Sequence, residues 1–250
     1  MRLISAEVLK LVRRRGLMAW SLFLTVGTVL IAEIVLVVLH AVNPDHHGPA
    51  GGKSNLELFV FLASGLGSIA AIMIGGTAGT QDVSNGVFRD LVVTGRSRSA
   101  LFNVRVPGAL AVFMPILALG LGLGFAGSFL LAGGSPTASA STVLKYIEFS
   151  VLGAGINVII AVGLAAFMSS RVVIGVLIAW NAIVAQLLLH ISSLGGARKF
   201  IDAAAVEHFA PATSGNTKIA MSSVTALLVL LGWTLLFTQA GRWWTTRRDA

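Results

Sequence analysis

Six long apolar runs divide the chain, and polar segments separate them. A helix needs about 20 apolar residues to cross the hydrocarbon core of a bilayer. Runs near this length lie at residues 16–41, 56–78, 106–132, 142–168, 172–191 and 220–240. The pattern therefore predicts an all-α membrane protein with six transmembrane helices, which form a single transmembrane domain over residues 1–250.

The residues before the first apolar run also have helical periodicity. An apolar stripe at i, i+4, i+7 and i+8 is formed by Ile4, Val8, Leu11 and Val12, with Lys10, Arg13 and Arg14 off the stripe. Basic amphipathic helices lie in the membrane interface. We therefore predict an N-terminal interfacial helix over 1–15; the alternative is a cytoplasmic extension of span 1. The run at 16–41 is too long for a signal peptide and no A-x-A site follows it, which predicts an uncleaved span.

The segment 79–105 is a long polar stretch between two strongly apolar runs. Val83, Val87, Phe88 and Leu91 have helical spacing, and Asp82, Asn85, Arg89 and Asp90 fall on a polar face beside them. Thr94 and Gly95 would end such a helix, and Ser97 or Ser99 would open the next one. The spacing predicts a short amphipathic helix at the membrane surface.

This segment resembles the intracellular loop of ABC-2 type transporter permeases. That family has an acidic residue, a glycine four positions later, an apolar turn and then a (P/G)-x-S-R element before the third span. The matching positions here are Asp82, Gly86, Val87-Phe88 with Leu91, and Gly95-Arg96-Ser97-Arg98. The resemblance covers nearly the whole chain and implies that the loop is a coupling helix, which docks into a separate ATPase subunit.

The resemblance also implies roles and partners. The implied ATPase-coupling residues are Asp82, Val83, Gly86, Val87, Phe88, Arg89, Asp90 and Leu91, the apolar ones filling a groove and the charged ones forming ion pairs. Two permeases, identical copies or paralogues, would pair with two ATPase subunits that hold ATP and Mg²⁺. The family places an interfacial helix before span 1 and short extracytoplasmic helices between spans 5 and 6, here residues 192–219.

The distribution of basic residues predicts the topology. With the N-terminus inside, 13 of the 18 lysines and arginines lie on the inner side and five on the outer side. Cytoplasmic loops carry such an excess of Lys and Arg. The count predicts cytoplasmic termini and an inner position for the 79–105 loop. It also attributes the net charge of +8 to membrane flanks, without nucleic acid as a partner. The resemblance implies a location in the cell inner (plasma) membrane.

Composition and motifs restrict the chemistry that the chain can carry. Charged residues are 11% of the chain, against about 25% in soluble domains, and mean hydropathy is +0.88. The sequence has no cysteine, no Walker A motif and no HExxH motif. We therefore predict a protein that is not an enzyme and has no catalytic, cofactor or metal residues of its own. His46-His47 is adjacent rather than convergent, which favours a solvated loop.

A few polar residues lie inside the apolar runs. Glu33 lies in the outer part of span 1, about 25 Å from its inner end at 1.5 Å per residue. It would face a polar cavity or a partner, or reach the outer headgroups. Asn157, Asn181 and Gln186 would line a translocation path or form hydrogen bonds between helices. In span 3, Gly120, Gly124 and Ser128 form a small-residue face that predicts close helix packing.

The resemblance implies that the protein is the permease subunit of an ATP-driven exporter. The apolar spans suit a lipophilic or amphipathic substrate such as a drug, peptide or lipid. The alternatives are an ion- or proton-coupled secondary transporter, which would need charges at mid-membrane, and a non-transport membrane assembly factor.

Overall fold

A computed structural model describes residues 2–211 and 219–247, all of them in helices, turns or irregular segments without a β-strand. Six helices are long and apolar enough to cross a membrane, and each coincides with a predicted run. They are span 1 (Arg15–Val42), span 2 (Lys53–Asp82), span 3 (Arg98–Leu130), span 4 (Ala140–Leu164), span 5 (Ser170–His190) and span 6 (Ser223–Arg247). The prediction of a six-span helical membrane protein is confirmed at this level.

Four shorter segments accompany the spans. They are α1 (Arg2–Val12), α2 (Val87–Val93), a 3₁₀ segment (Ser192–Phe200) and α3 (Asp202–His208). Spans 1, 2 and 5 each contain one π-helical turn, at Phe23–Gly27, Leu62–Leu66 and Trp180–Val184. π-Turns widen a helix locally and are frequent at functional sites. Two of the three, in spans 2 and 5, lie beside the cavity described below.

Spans 2, 3 and 4 form the centre of the bundle. Half or nearly half of their apolar windows are buried (50%, 44% and 50%), against 17–22% for spans 1, 5 and 6. Spans 2 and 4 approach closely because two glycines of span 2 face the backbone of span 4. A Cβ at Gly79 would lie 2.3 Å from Ala165 Cβ, and one at Gly75 would lie 2.7 Å from the Val158 carbonyl oxygen. Small residues thus set the core geometry.

The predicted small-residue face of span 3 also packs as expected. A Cβ at Gly120 would meet the Thr25 carbonyl oxygen of span 1 at 2.5 Å, and one at Gly124 would meet Phe59 Cβ of span 2 at 2.9 Å. The Ser128 hydroxyl donates a hydrogen bond to the Gly52 carbonyl oxygen at 2.9 Å. This face therefore joins span 3 to both preceding spans.

The 79–105 segment is divided differently from the prediction. The helix of span 2 runs on to Ser84, so Asp82 belongs to a span, and α2 begins only at Val87. The break lies at Gly86, whose φ of 72° is left-handed and ends the preceding helix. The prediction that one continuous amphipathic helix covers residues 82–91 was therefore wrong. The predicted end is confirmed: Gly95 has φ 86°, and the Ser97 hydroxyl caps the next helix by accepting from the Ala100 N–H.

One end of the bundle holds α1, α2 and the end of span 6, and we call it the terminal end. Arg98, at the start of span 3, donates a hydrogen bond to the Thr246 carbonyl oxygen of span 6 at 3.2 Å. The 3₁₀ segment and α3 lie between spans 5 and 6, and therefore at the opposite end. Short helices were expected within residues 192–219, and α3 is one of them.

Candidate functional site

A buried cluster of four charged residues lies at the terminal end, where α1 meets spans 2 and 3. Lys10 Nζ donates a hydrogen bond to Asp82 Oδ1 at 2.8 Å and also pairs with Glu7. Arg105 Nη2 lies 3.5 Å from Asp82 Oδ2, and Arg105 Nη1 donates to the Gly79 carbonyl oxygen at 2.9 Å. We call these four residues, Glu7, Lys10, Asp82 and Arg105, the charge cluster.

The charge cluster is almost closed to solvent. Arg105 is 1% exposed, Glu7 6% and Asp82 7%, while Lys10 keeps its side chain partly accessible. Its two carboxylates and two cations sum to zero net charge. This pairing lowers the free-energy cost of burying the charged groups. Burial raises the pKa of the Glu7 carboxyl, and the attraction of Lys10 only partly opposes this. Asp82 is the central member, because it contacts both cations.

Local packing explains why α1 brings charges into this position. Glu7 lies against Gly108 of span 3, where a Cβ would approach Glu7 Cγ to 2.6 Å. Leu11, one turn further along α1, is fully buried, whereas Val12 is 45% exposed. The face of α1 that packs against the spans is therefore centred on Glu7 and Leu11, and Val12 of the predicted apolar stripe lies outside this contact. Periodicity alone missed Glu7, because it interrupts an apolar stripe.

The structure divides the predicted coupling residues into two groups. Arg89, Asp90 and Val87 are exposed, and Leu91 is half-buried. Asp82 and Phe88 are buried within the chain, and their coupling role stays a prediction. Asp82 is already paired with Lys10 and Arg105. The Val83 side chain lies outside the part of the chain that the structure describes.

Phe88 is buried for a specific reason. Only 5% of the residue is exposed, and its ring centroid lies 6.0 Å from Arg105 Cζ. The ring therefore covers the charge cluster and keeps water from it, which strengthens the ion pairs. The most exposed apolar residue of α2 is Val93, at 80% exposure. It was missed because it lies two residues past Leu91, the last position of the predicted apolar stripe.

A cavity of about 430 Å³ lies between spans 2, 4 and 5 and α3. Its walls come from residues 61–72 of span 2, 149–157 of span 4, 178–186 of span 5 and 202–207 around α3. The wall is mostly apolar, with a few hydroxyl, amide and carboxyl groups. Drug-sized ligands occupy cavities of about 300–1,000 Å³ with this character.

Three of the four candidate path residues line this cavity. Asn157, Asn181 and Gln186 all contribute to its wall. The Asn181 side-chain amide donates to Asn157 Oδ1 at 2.8 Å and to the Leu177 carbonyl oxygen at 3.0 Å. Asn157 in turn donates to the Gly153 carbonyl oxygen at 2.9 Å. The two asparagines thus join spans 4 and 5, and they do so at the cavity wall.

Glu33, the fourth candidate, lies elsewhere. Its carboxyl group packs against Gly127 of span 3, where a Cβ would come within 2.2 Å of Glu33 Oε1. It is not among the residues that line the cavity. The absence of a side chain at Gly127 provides a pocket for Glu33 between spans 1 and 3, and its role in a translocation path stays a prediction.

Comparison of the chain with known protein families, curated proteins and solved structures found no match.

Proposed function

We propose that this protein is the permease subunit of an ATP-driven exporter of the ABC-2 type. The observation that carries the proposal is the continuity of span 2. This helix forms one wall of the cavity at residues 61–72 and holds Asp82 of the charge cluster. Ile72 and Asp82 are about 15 Å apart at 1.5 Å per residue. A displacement of the loop after span 2 would therefore move the cavity wall.

The exposed surface of α2 suits a protein partner. Val87 and Val93 are 42% and 80% exposed, and Arg89 and Asp90 are exposed beside them. Apolar anchors within a charged rim are typical of protein interfaces. Gly86 and Gly95, both with positive φ, flank α2 and separate it from the rigid spans. We propose that an ATPase subunit contacts Val87, Arg89, Asp90 and Val93.

The charge cluster would transmit this contact. Asp82 pairs with Lys10 of α1 and Arg105 of span 3, and Phe88 of α2 covers Arg105. Since low dielectric strengthens the ion pairs, α1, α2 and the ends of spans 2 and 3 would move as one unit. ATP and Mg²⁺ would be bound by the partner. In this proposal the terminal end is cytoplasmic in the cell inner membrane, and a second permease completes the transporter.

The proposal predicts that a charge on the exposed face of α2 separates the subunits. We expect Val93→Glu to weaken co-purification with the ATPase at least tenfold, about 1.4 kcal/mol or more. The physical reason is the desolvation of a carboxylate in an apolar contact. The measurement is pull-down of tagged protein from membranes, with ATPase activity as readout.

Ser169→Glu is the matched control, because Ser169 is exposed in the turn between spans 4 and 5 at the same end. It should retain the ATPase. Wild-type protein that carries no ATPase, or that transports with a proton gradient alone, would contradict the proposed function.

A further inference from the structure

A small groove lies on the surface of the terminal end, between span 6 and the turn that follows span 4. It has a volume of about 230 Å³ and is lined by Phe167, Trp243, Trp244 and Arg247. The two tryptophans and Arg247 belong to the end of span 6, and Phe167 follows the end of span 4. Three aromatic side chains and one guanidinium group therefore share this surface.

The end of span 6 is fixed against the rest of the bundle. A Cβ at Gly241 would lie 2.7 Å from Phe102 Cζ, so span 6 packs closely on span 3. The Thr246 carbonyl oxygen accepts a hydrogen bond from Arg98 at 3.2 Å. The groove is therefore formed before any ligand binds, and binding there requires little ordering of the backbone.

Arg247 is oriented within the groove and keeps its capacity to bind an anion. Its Cζ lies over the Trp243 ring, 4.4 Å from the ring centroid, as in a cation–π contact. This contact positions the positive charge but provides no oxygen acceptor for the N–H donors. Among the described residues no carboxylate lines the groove or forms an ion pair with Arg247. A guanidinium group of this kind suits a phosphate, which can accept two parallel hydrogen bonds from it.

The depth of the groove in the membrane indicates where such a phosphate comes from. Trp243 lies 20 residues after Ser223, the first residue of span 6, and therefore about 30 Å along the helix at 1.5 Å per residue. The hydrocarbon core of a bilayer is also about 30 Å thick, so the groove lies at the level of the headgroups. Tryptophan is enriched at this level. The groove is also smaller than the sites of about 300–1,000 Å³ that bind drug-sized molecules.

We infer that this groove binds the headgroup phosphate of an anionic phospholipid, with Arg247 on the phosphate and the apolar part of the lipid against Phe167 and Trp244. A zwitterionic lipid also carries a phosphate, but its ammonium group would be repelled by Arg247, which already covers the Trp243 ring. The inference does not rest on the proposed function, because it uses no contact with an ATPase.

Quenching of tryptophan fluorescence by chain-brominated lipids tests the inference, because bromine quenches only nearby rings. Purified protein is placed in phosphatidylcholine nanodiscs that contain increasing mole fractions of brominated phosphatidylglycerol or of brominated phosphatidylcholine. The difference between the two quenching curves gives the preference for the anionic lipid. We expect the wild type to prefer phosphatidylglycerol about tenfold, the effect of hydrogen bonds to a charged group.

Arg247→Gln removes the proposed phosphate ligand and leaves all five tryptophans in place. Because Arg247 is exposed at the end of span 6, we expect the variant to fold and to bind the two lipids equally. Arg242→Gln is the matched control. It removes the same charge from an exposed position of the same helix that does not line the groove, and it should keep the wild-type preference.

Equal quenching by the two brominated lipids in the wild type would overturn the inference. An unchanged preference in Arg247→Gln would also overturn it, as would an equal loss in both variants, which would indicate a diffuse effect of positive charge. Displacement of the brominated lipid by soluble inorganic phosphate would assign the groove to another anion and would contradict the lipid site. The assay needs no ATPase, so its outcome is separate from the test of the proposed function.

Discussion

Asp82→Asn is expected to destabilise the protein by about 3–5 kcal/mol, because removal of one partner from a buried ion pair leaves the other uncompensated. Arg105 is 1% exposed and would lose the carboxylate that lies 3.5 Å from its Nη2, and Lys10 would lose its 2.8 Å hydrogen bond to the carboxylate oxygen. The measurement is thermal unfolding of detergent-solubilised protein, with an expected decrease in Tm of roughly 10 °C.

The double variant Asp82→Asn, Arg105→Met distinguishes lost compensation from lost packing. Replacement of both partners by uncharged residues of similar size is often neutral in buried clusters. We expect it to recover most of the lost stability. A double variant as unstable as Asp82→Asn alone would show that the ion pair is not what holds α1, span 2 and span 3 together.

Glu7→Gln provides a second comparison within the same cluster, and its sign depends on pH. Burial raises the pKa of Glu7, so folding favours the protonated carboxyl. That contribution to stability is full below the unfolded pKa and is lost as pH rises through the folded pKa. Glutamine does not ionise, so the free energy of unfolding of Glu7→Gln, relative to that of the wild type, should increase between pH 5 and pH 8. A constant difference across this range would contradict the assignment.

Gly79→Leu should prevent the correct packing of spans 2 and 4. A Cβ at Gly79 would lie 2.3 Å from Ala165 Cβ and 2.9 Å from the Val162 carbonyl oxygen. Overpacking of a tight core costs about 1–3 kcal/mol, and backbone contact at this distance places the substitution at or above the upper value. We expect aggregation on solubilisation or a large loss of Tm, measured by fluorescence-detected size exclusion.

Gly122→Leu is the matched control for this substitution. It also lies in a central span, but a Cβ there would meet nothing within 4 Å. The protein should elute as the wild type does. Equal behaviour of the two variants would show that close contact between spans 2 and 4 does not set the geometry of the bundle.

The spans could be predicted because each is a local property of the sequence. Length and apolar content alone identify a transmembrane helix, and all six were found at their predicted places. The end of α2 was also predictable, since Gly95 and Ser97 act through their own backbone and hydroxyl group. The helix break at Gly86 was not predictable in this way. The apolar residues before and after Gly86 keep one continuous helical spacing, but its left-handed backbone conformation divides them between span 2 and α2.

The candidate sites depend on contacts between distant residues, which periodicity does not report. Lys10 and Asp82 are 72 residues apart, and nothing in either local pattern indicates that they pair. Asp82 looked like a surface residue because the amphipathic pattern places it on a polar face; the structure buries it because two cations converge there. Asn157 and Asn181 were predictable as polar residues inside spans. That they share one wall of the cavity could not be predicted, because it depends on how spans 4 and 5 pack against each other.

The account depends most on an ATPase that contacts the exposed face of α2 from the cytoplasm. Since the chain has no cysteine, Val93→Cys introduces a single thiol at a position that is 80% exposed. This thiol can be labelled with a membrane-impermeant maleimide in inside-out and right-side-out vesicles, with and without the ATPase. The experiment tests whether α2 faces the cytoplasm and whether the ATPase covers it. The account predicts labelling in inside-out vesicles alone and protection when the ATPase is bound. Labelling from the outside, or equal labelling with and without the ATPase, would contradict it.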